Sequence, residues 1–167
     1  MCPPDLVPVG SQNKFTMRNL AELADELERH LKTNILPFWM KRMQDGYGGF
    51  HGRISGDGTV DDGAPRGSVL YSRILWTFSA AYRVFGNPEY LECADRAKKW
   101  ILEHFYDSEY GGVYWSVSPD GVPLDTKKQT YAQGFAIYGL SEYHRATGDT
   151  EALEYAVRLF KSVERNM

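Results

Sequence analysis

Four histidines, two close acidic pairs and one arginine set into an apolar helix are the residues whose types could carry chemistry in this 167-residue chain. His30, His51, His104 and His144 are scattered, and no two have the spacing of metal ligands. His30, His104 and His144 fall on or near helical segments among charged neighbours, where a solvated or half-buried ring is expected. His51 sits beside a glycine-rich turn. Asp61 with Asp62, and Asp107 with Glu109, offer the paired carboxylates a glycosidase needs, but neighbours on one loop seldom converge on one bond. They read as solvated loop acids. No phosphate-cradling loop exists either, because Gly46 to Gly49 lacks a following Lys-Ser/Thr and no G-x-G-x-x-G opens a helix.

The arginine is more informative. Arg66-Gly67-Ser68-Val69-Leu70-Tyr71-Ser72-Arg73-Ile74-Leu75-Trp76 opens a helix whose apolar positions Val69, Leu70, Ile74, Phe78 and Ala81 recur at three- and four-residue spacing. Arg73 falls among them, and an arginine is costly to bury without a partner. A buried guanidinium with five fixed donors suits an oxygen-rich ligand at the bottom of a cavity. It equally suits clamping of loop carbonyls.

The elements that must position these groups follow from pattern. Residues 1–16 hold three of the eight prolines and show no periodicity, so they read as a disordered leader, with Met17 as the expected biological start. Leu20, Leu23, Leu27, Leu31 and Ile35 then mark a helix, expected to kink at Pro37 and to end at Asp45-Gly46. A glycine-rich hairpin or double turn covers residues 47–58, and a loop covers 61–65. Helices are predicted over 66–85 and 89–105, separated by Gly86-Asn87-Pro88.

The pattern then repeats. Tyr110-Gly111-Gly112-Val113 answers Tyr47-Gly48-Gly49-Phe50 and Asp120-Gly121 answers Asp57-Gly58, 63 positions on. Gly148, Glu151, Leu153 and Ala156 answer Gly86, Glu89, Leu91 and Ala94, 62 positions on. Each unit is a glycine hairpin, a long loop, a helix, a short Gly turn and a second helix. Stacked helical hairpins bury one face against a neighbour and leave another open. Two units and a leading helix cannot close a ring, so the chain reads as all-α, an incomplete α/α toroid occupying residues 17–167. If the inner helices line a cavity, the start of each presents Arg73, Tyr131 and Gln133 to a ligand. The alternatives are a core tyrosine with its hydroxyl paired and a surface glutamine. Trp76, Trp115 and Tyr114 could stack on a sugar face or pack in the core.

Composition narrows the partners. The net charge of −3 and the lack of a basic block give no reason to expect nucleic acid or an anionic membrane. No apolar run is long enough to span a bilayer, and no signal-peptide pattern is present. Cys2 and Cys93 have no metal spacing and are not expected to form a disulfide. A reducing, cytoplasmic setting is therefore expected. Eleven Tyr, eight Phe and four Trp make large cores or ring-stacking sites available.

Several strings occur in a fixed order: Pro37-Phe38-Trp39, Tyr47-Gly48-Gly49-Phe50, Ser72-Arg73-Ile74-Leu75-Trp76, Tyr110-Gly111-Gly112-Val113-Tyr114-Trp115 and Tyr131-Ala132-Gln133-Gly134-Phe135-Ala136-Ile137-Tyr138. From about Met17 onward the chain resembles the N-terminal part of the N-acylglucosamine 2-epimerase / cellobiose 2-epimerase family. The Ser-Arg-Ile-Leu-Trp and Tyr-Gly-Gly-Val-Tyr-Trp strings resemble the cellobiose branch. The resemblance implies a toroid of six helical hairpins and inversion of C2 of a reducing-end sugar through an enediolate, with no cofactor and no metal. It implies that Arg73 stabilises charge on O1 and that Tyr131 lines the pocket, with Trp76 and Gln133 beside them. The family's acid/base histidines lie in later hairpins and no histidine here matches them, so the isolated chain is expected to be inactive. A small sugar is the expected ligand, and exposed apolar faces could drive homo-oligomerisation. A glycoside hydrolase on a similar toroid and a carbohydrate-binding module are the competing functions.

Overall fold

The computed structural model describes residues 19–166, so the expected leader, Met17 and Cys2 lie outside the described residues. The chain divides into two compact units, Met1–Pro37 and Phe38–Met167. In the first, α1 (Leu20–His30) is capped by Asn19, whose Oδ1 accepts from the Ala21 N–H at 3.0 Å. Leu20, Leu23 and Leu27, the expected core face, are exposed. The kink expected at Pro37 takes a specific form: a π turn over Leu31–Ile35, immediately ahead of α2 (Leu36–Arg42). Pro37 has no N–H and its ring crowds the carbonyl four residues back, and the wider turn absorbs that misfit. The helix stops at Arg42, short of the expected Asp45-Gly46.

The second unit shows the repeat in detail. In the first glycine turn the Asp45 N–H donates to the Gly49 carbonyl at 3.1 Å, and the His51 N–H to the Met43 carbonyl at 2.8 Å. In the second, the Asp107 N–H donates to Gly112 and the Tyr114 N–H to Phe105, both at 2.9 Å. The expected first hairpin is reduced to isolated bridges at Gln44–Phe50 and Ile54–Val60. The second carries two short strands, β2 (Ser116–Val117) and β3 (Pro123–Asp125). Both belong to an antiparallel sheet ordered β1-β2-β3, where β1 is Arg66–Gly67.

Arg66 therefore lies in a strand and not at the head of a helix, and the first inner helix, α3, runs Ser68–Phe85. Its end is fixed by Gly86, whose φ of 69° is the left-handed cap that glycine adopts without strain. Asn87 then caps α4 (Pro88–Trp100), which finishes in a π turn over Ile101–Phe105. The second hairpin copies this plan: α5 (Thr130–Thr147), a Gly148 cap at φ 77°, and α6 (Thr150–Asn166). Tyr71, Leu75 and Phe78 of α3 and Ala132, Ala136 and Leu140 of α5 are buried in the core. Ala94 and Ala97 of α4 and Ala152 and Ala156 of α6 are buried too, their small side chains permitting close helix approach. Gly139 brings α5 against the backbone of α3: a Cβ there would stand 2.7 Å from the Ser72 carbonyl oxygen.

Candidate functional site

Arg73 is not the buried arginine. Its side chain is exposed on α3, and among the described residues no hydrogen bond or ion pair holds it. The arginine that burial selects is Arg66, 0 % exposed. Its Nε and Nη2 donate to Asp45 Oδ2 at 3.3 and 3.1 Å, and its Nη1 to the Ala64 carbonyl at 2.5 Å. It is the clamp on loop carbonyls that a buried guanidinium can form, and its partners leave no donor set for a ligand. Arg73 owes its exposure to its place on the helix, one step round from the buried Ser72 and Ile74.

Exposure puts Arg73 on a cavity. The space, of about 970 Å³, lies between the leading halves of α3 and α5 and is lined by Arg73, Trp76, Thr77, Thr130, Tyr131, Gly134, Phe135 and Tyr138. Three of the four residues singled out from sequence therefore meet there: Arg73, Trp76 and Tyr131. Trp76 stacks on Tyr138 with ring centroids 5.0 Å apart and planes at 10°. Tyr131 and Phe135 meet edge to face at 4.8 Å. A free guanidinium beside aromatic faces is chemistry suited to a hydroxylated ring, whose C–H faces stack while its oxygens accept. Desolvation raises the Tyr138 phenol pKa, with Glu142 adding to the rise and Arg73 opposing it, so the phenol stays neutral at physiological pH.

Gln133 does not join them. It is 1 % exposed, against the expectation of a pocket residue or a surface glutamine. Its Oε1 accepts from the Val113 N–H at 2.7 Å and its Nε2 donates to the Val113 carbonyl at 2.8 Å. Both ends of the amide are committed to the glycine turn. Tyr138 and Phe135 were missed in the sequence reading, although both stand in the same α5 string as Tyr131.

Neither the histidines nor the acidic pairs reach the cavity. His30 faces Asn34, and His144 Nδ1 lies 2.8 Å from the Asp149 carbonyl. His104 packs on Trp100 with centroids 4.2 Å apart. His51 Nδ1 stands 3.2 Å from Asp62 Oδ1 without hydrogen-bond geometry. Asp61 pairs with Arg53 at 2.6 Å. Asp107 accepts from the Glu109 and Tyr110 N–H groups and from Lys128. Burial opposes its charge, but Lys128 and those two amides outweigh it and hold the carboxyl down at about 2. Trp115 and Tyr114 do not line the cavity. Cys93 is buried and free. No helix among the described residues is long and apolar enough to cross a membrane.

With this geometry in hand, comparison with known proteins is decisive about kinship. The model of the N-acylglucosamine 2-epimerase (GlcNAc 2-epimerase) family matches residues 48–167, and the chain belongs to that family. It is 61% identical over 143 residues to a cellobiose 2-epimerase of Bacteroides fragilis, a match covering 85% of this chain and 36% of that protein. The cellobiose 2-epimerase structure from Spirochaeta thermophila superposes with a TM-score of 0.85 at 41% identity, covering 90% of this chain and 38% of that one. A sugar epimerase structure from a ruminal bacterium gives 0.84 at 46% identity, over 87% and 37%. The chain thus spans little more than a third of the length of these relatives, and its helical hairpins form an incomplete α/α toroid.

Proposed function

We propose that this chain supplies the sugar-binding wall of a 2-epimerase acting on the reducing end of β-1,4-linked disaccharides of the cellobiose type, with N-acylglucosamine as the alternative substrate. The observation that carries this reading is the convergence of an unpaired Arg73 with Trp76 and Tyr131 on one aromatic cavity. Its relatives named cellobiose 2-epimerase support the choice of sugar.

In the reaction the ring opens, a base removes the C2 proton, and the electron pair left behind makes an enediolate with negative charge on O1. Returning a proton to the opposite face of C2 inverts it and leaves the glycosidic bond intact. In this reading Arg73 donates to O1 as charge grows there, an interaction stronger in the transition state than in the bound aldose. Trp76, with Tyr131 beside it, offers the sugar's C–H face a stacking surface. Proton transfer needs two bases near neutral pH, and among the described residues no histidine lines the cavity. That role falls to later hairpins of the family's toroid.

The test combines binding and exchange. Cellobiose titrated calorimetrically should bind, and Arg73→Ala should weaken binding about tenfold, as losing a charged hydrogen bond does. In D2O, the C2 proton of cellobiose should persist with the chain at the buffer-only rate. Unaltered affinity in the variant, or exchange above background, would refute the proposal.

A further inference from the structure

Trp76 and Tyr138 stand 62 positions apart, at the same place on the two inner helices. Their rings stack with centroids 5.0 Å apart and planes at 10°. A parallel stack this close covers one face of each ring, so Trp76 keeps a single face for anything else. Backbone geometry holds the pair. Gly139, the residue after Tyr138, brings α5 against α3, where a Cβ would stand 2.7 Å from the Ser72 carbonyl oxygen and 3.4 Å from Leu75 Cδ2. Helices seated this closely fix the separation of the two rings they carry.

Tyr138 also joins the two walls of the cavity. It reaches Trp76 on α3, and on its own helix it meets Phe135 at 6.3 Å with planes at 87°. Phe135 in turn meets Tyr131 edge to face. The rings run Trp76, Tyr138, Phe135, Tyr131 without a break, and all four line the cavity. Burial does not account for Tyr138. It is 44% exposed, its hydroxyl has no hydrogen-bond partner among the described residues, and its ring contacts are with other rings of the cavity.

We propose that Tyr138 is a positioning residue for the sugar: by covering one face of the Trp76 indole, it fixes that ring in a single orientation and leaves the opposite face to the pyranose. The C–H face of the sugar then lies flat on the indole, with its carbonyl end within reach of Arg73, three residues earlier on α3. An indole free to turn about its side-chain bonds would lose that freedom on binding, at a cost in affinity. The ring of Tyr138 performs this task, and its hydroxyl takes no part. The inference rests on the reading of the cavity as a sugar site and gives Tyr138 a role there that needs no contact with the sugar.

The experiment uses the 167-residue chain, nitrogen-labelled, with cellobiose as the probe; loss of one indole N–H resonance in Trp76→Phe identifies that of Trp76. In Tyr138→Leu this resonance should move in the free chain, because the ring that shields it is gone. Cellobiose should bind the same variant roughly two- to tenfold more weakly, the worth of a lost aromatic pair. Tyr138→Phe should restore both. Should Tyr138→Leu not fold, Tyr138→Met takes its place with the same expectations. A lower melting temperature with parental affinity in the folded variant would make Tyr138 merely structural and overturn the proposal. An unmoved indole resonance would overturn it too, as would a Tyr138→Phe variant weakened as much as Tyr138→Leu, which would assign the effect to the hydroxyl. A parent chain that binds no cellobiose overturns the sugar-site reading and this inference with it, and that failure shows before any substitution is made.

Discussion

Tyr71 and Gln133, 62 positions apart on the two inner helices, perform the same task with different chemistry. The Tyr71 hydroxyl accepts from the Phe50 N–H at 2.6 Å and donates to the Phe50 carbonyl at 2.8 Å. The Gln133 amide makes the same two bonds to Val113. Each ties an inner helix to the glycine turn that precedes it, so the clamp was kept while the residue changed. A phenol acts as donor and acceptor through one atom, and a carboxamide divides the roles between two.

Breaking either clamp strands a buried backbone pair. Gln133→Leu leaves the Val113 N–H and carbonyl without partners, at a cost of about 1–3 kcal/mol. Tyr71→Phe should cost a similar amount at Phe50. Urea unfolding of both variants checks this. If Gln133→Leu instead weakened sugar binding with stability unchanged, its place in the turn would be wrong.

Two glycines on α5 give opposite outcomes on alanine substitution. At Gly139 the new methyl would meet the Ser72 carbonyl oxygen, a backbone atom that cannot move aside cheaply. Overpacking of roughly 1–3 kcal/mol should exceed the gain in helix propensity. At Gly134 the methyl meets open space, so propensity alone acts and Gly134→Ala should stabilise by about 0.5–1 kcal/mol. Thermal unfolding of the pair reads the sign directly.

The Asp107–Lys128 pair makes stability depend on acid pH. The folded carboxyl titrates at about 2, below its unfolded value near 4, so the unfolded chain binds more protons in between. This contribution is therefore whole above about pH 4 and is lost as pH falls toward 2. Lys128→Met removes the charge that holds the Asp107 carboxyl down, so its folded value should rise toward the unfolded one, and the variant, less stable at pH 7, should lose less stability than the parent between pH 7 and pH 3.5. Urea midpoints at pH 7 and pH 3.5 measure it, and an unchanged pH dependence in Lys128→Met would contradict the assignment.

The repeat, the helix order and the turn glycines were legible in the sequence because they are local: a left-handed cap needs glycine at Gly86 and Gly148 wherever the helices go. That Arg73 and Tyr131 would face one cavity was legible because helical spacing places them near the starts of two inner helices. Which arginine is buried was not. Arg66 earns burial from Asp45, 21 residues away, and no periodicity reports a partner at that distance. Gln133 was misread for a related reason. Its acceptor and donor lie 20 residues upstream, and only alignment with Tyr71 across the repeat reveals the clamp. The first helix shows the opposite limit: its leucines keep perfect spacing and are nonetheless exposed.

The central claim is that the cavity between α3 and α5 receives a sugar at Arg73. Nitrogen-labelled chain titrated with cellobiose tests it residue by residue in two-dimensional NMR. The account predicts saturable shifts of the Arg73 Nε–H and Trp76 indole N–H, with the backbone amides of Tyr131 and Gly134 moving in step. Shifts confined to other surfaces, or an Arg73→Ala spectrum that titrates identically, would contradict it.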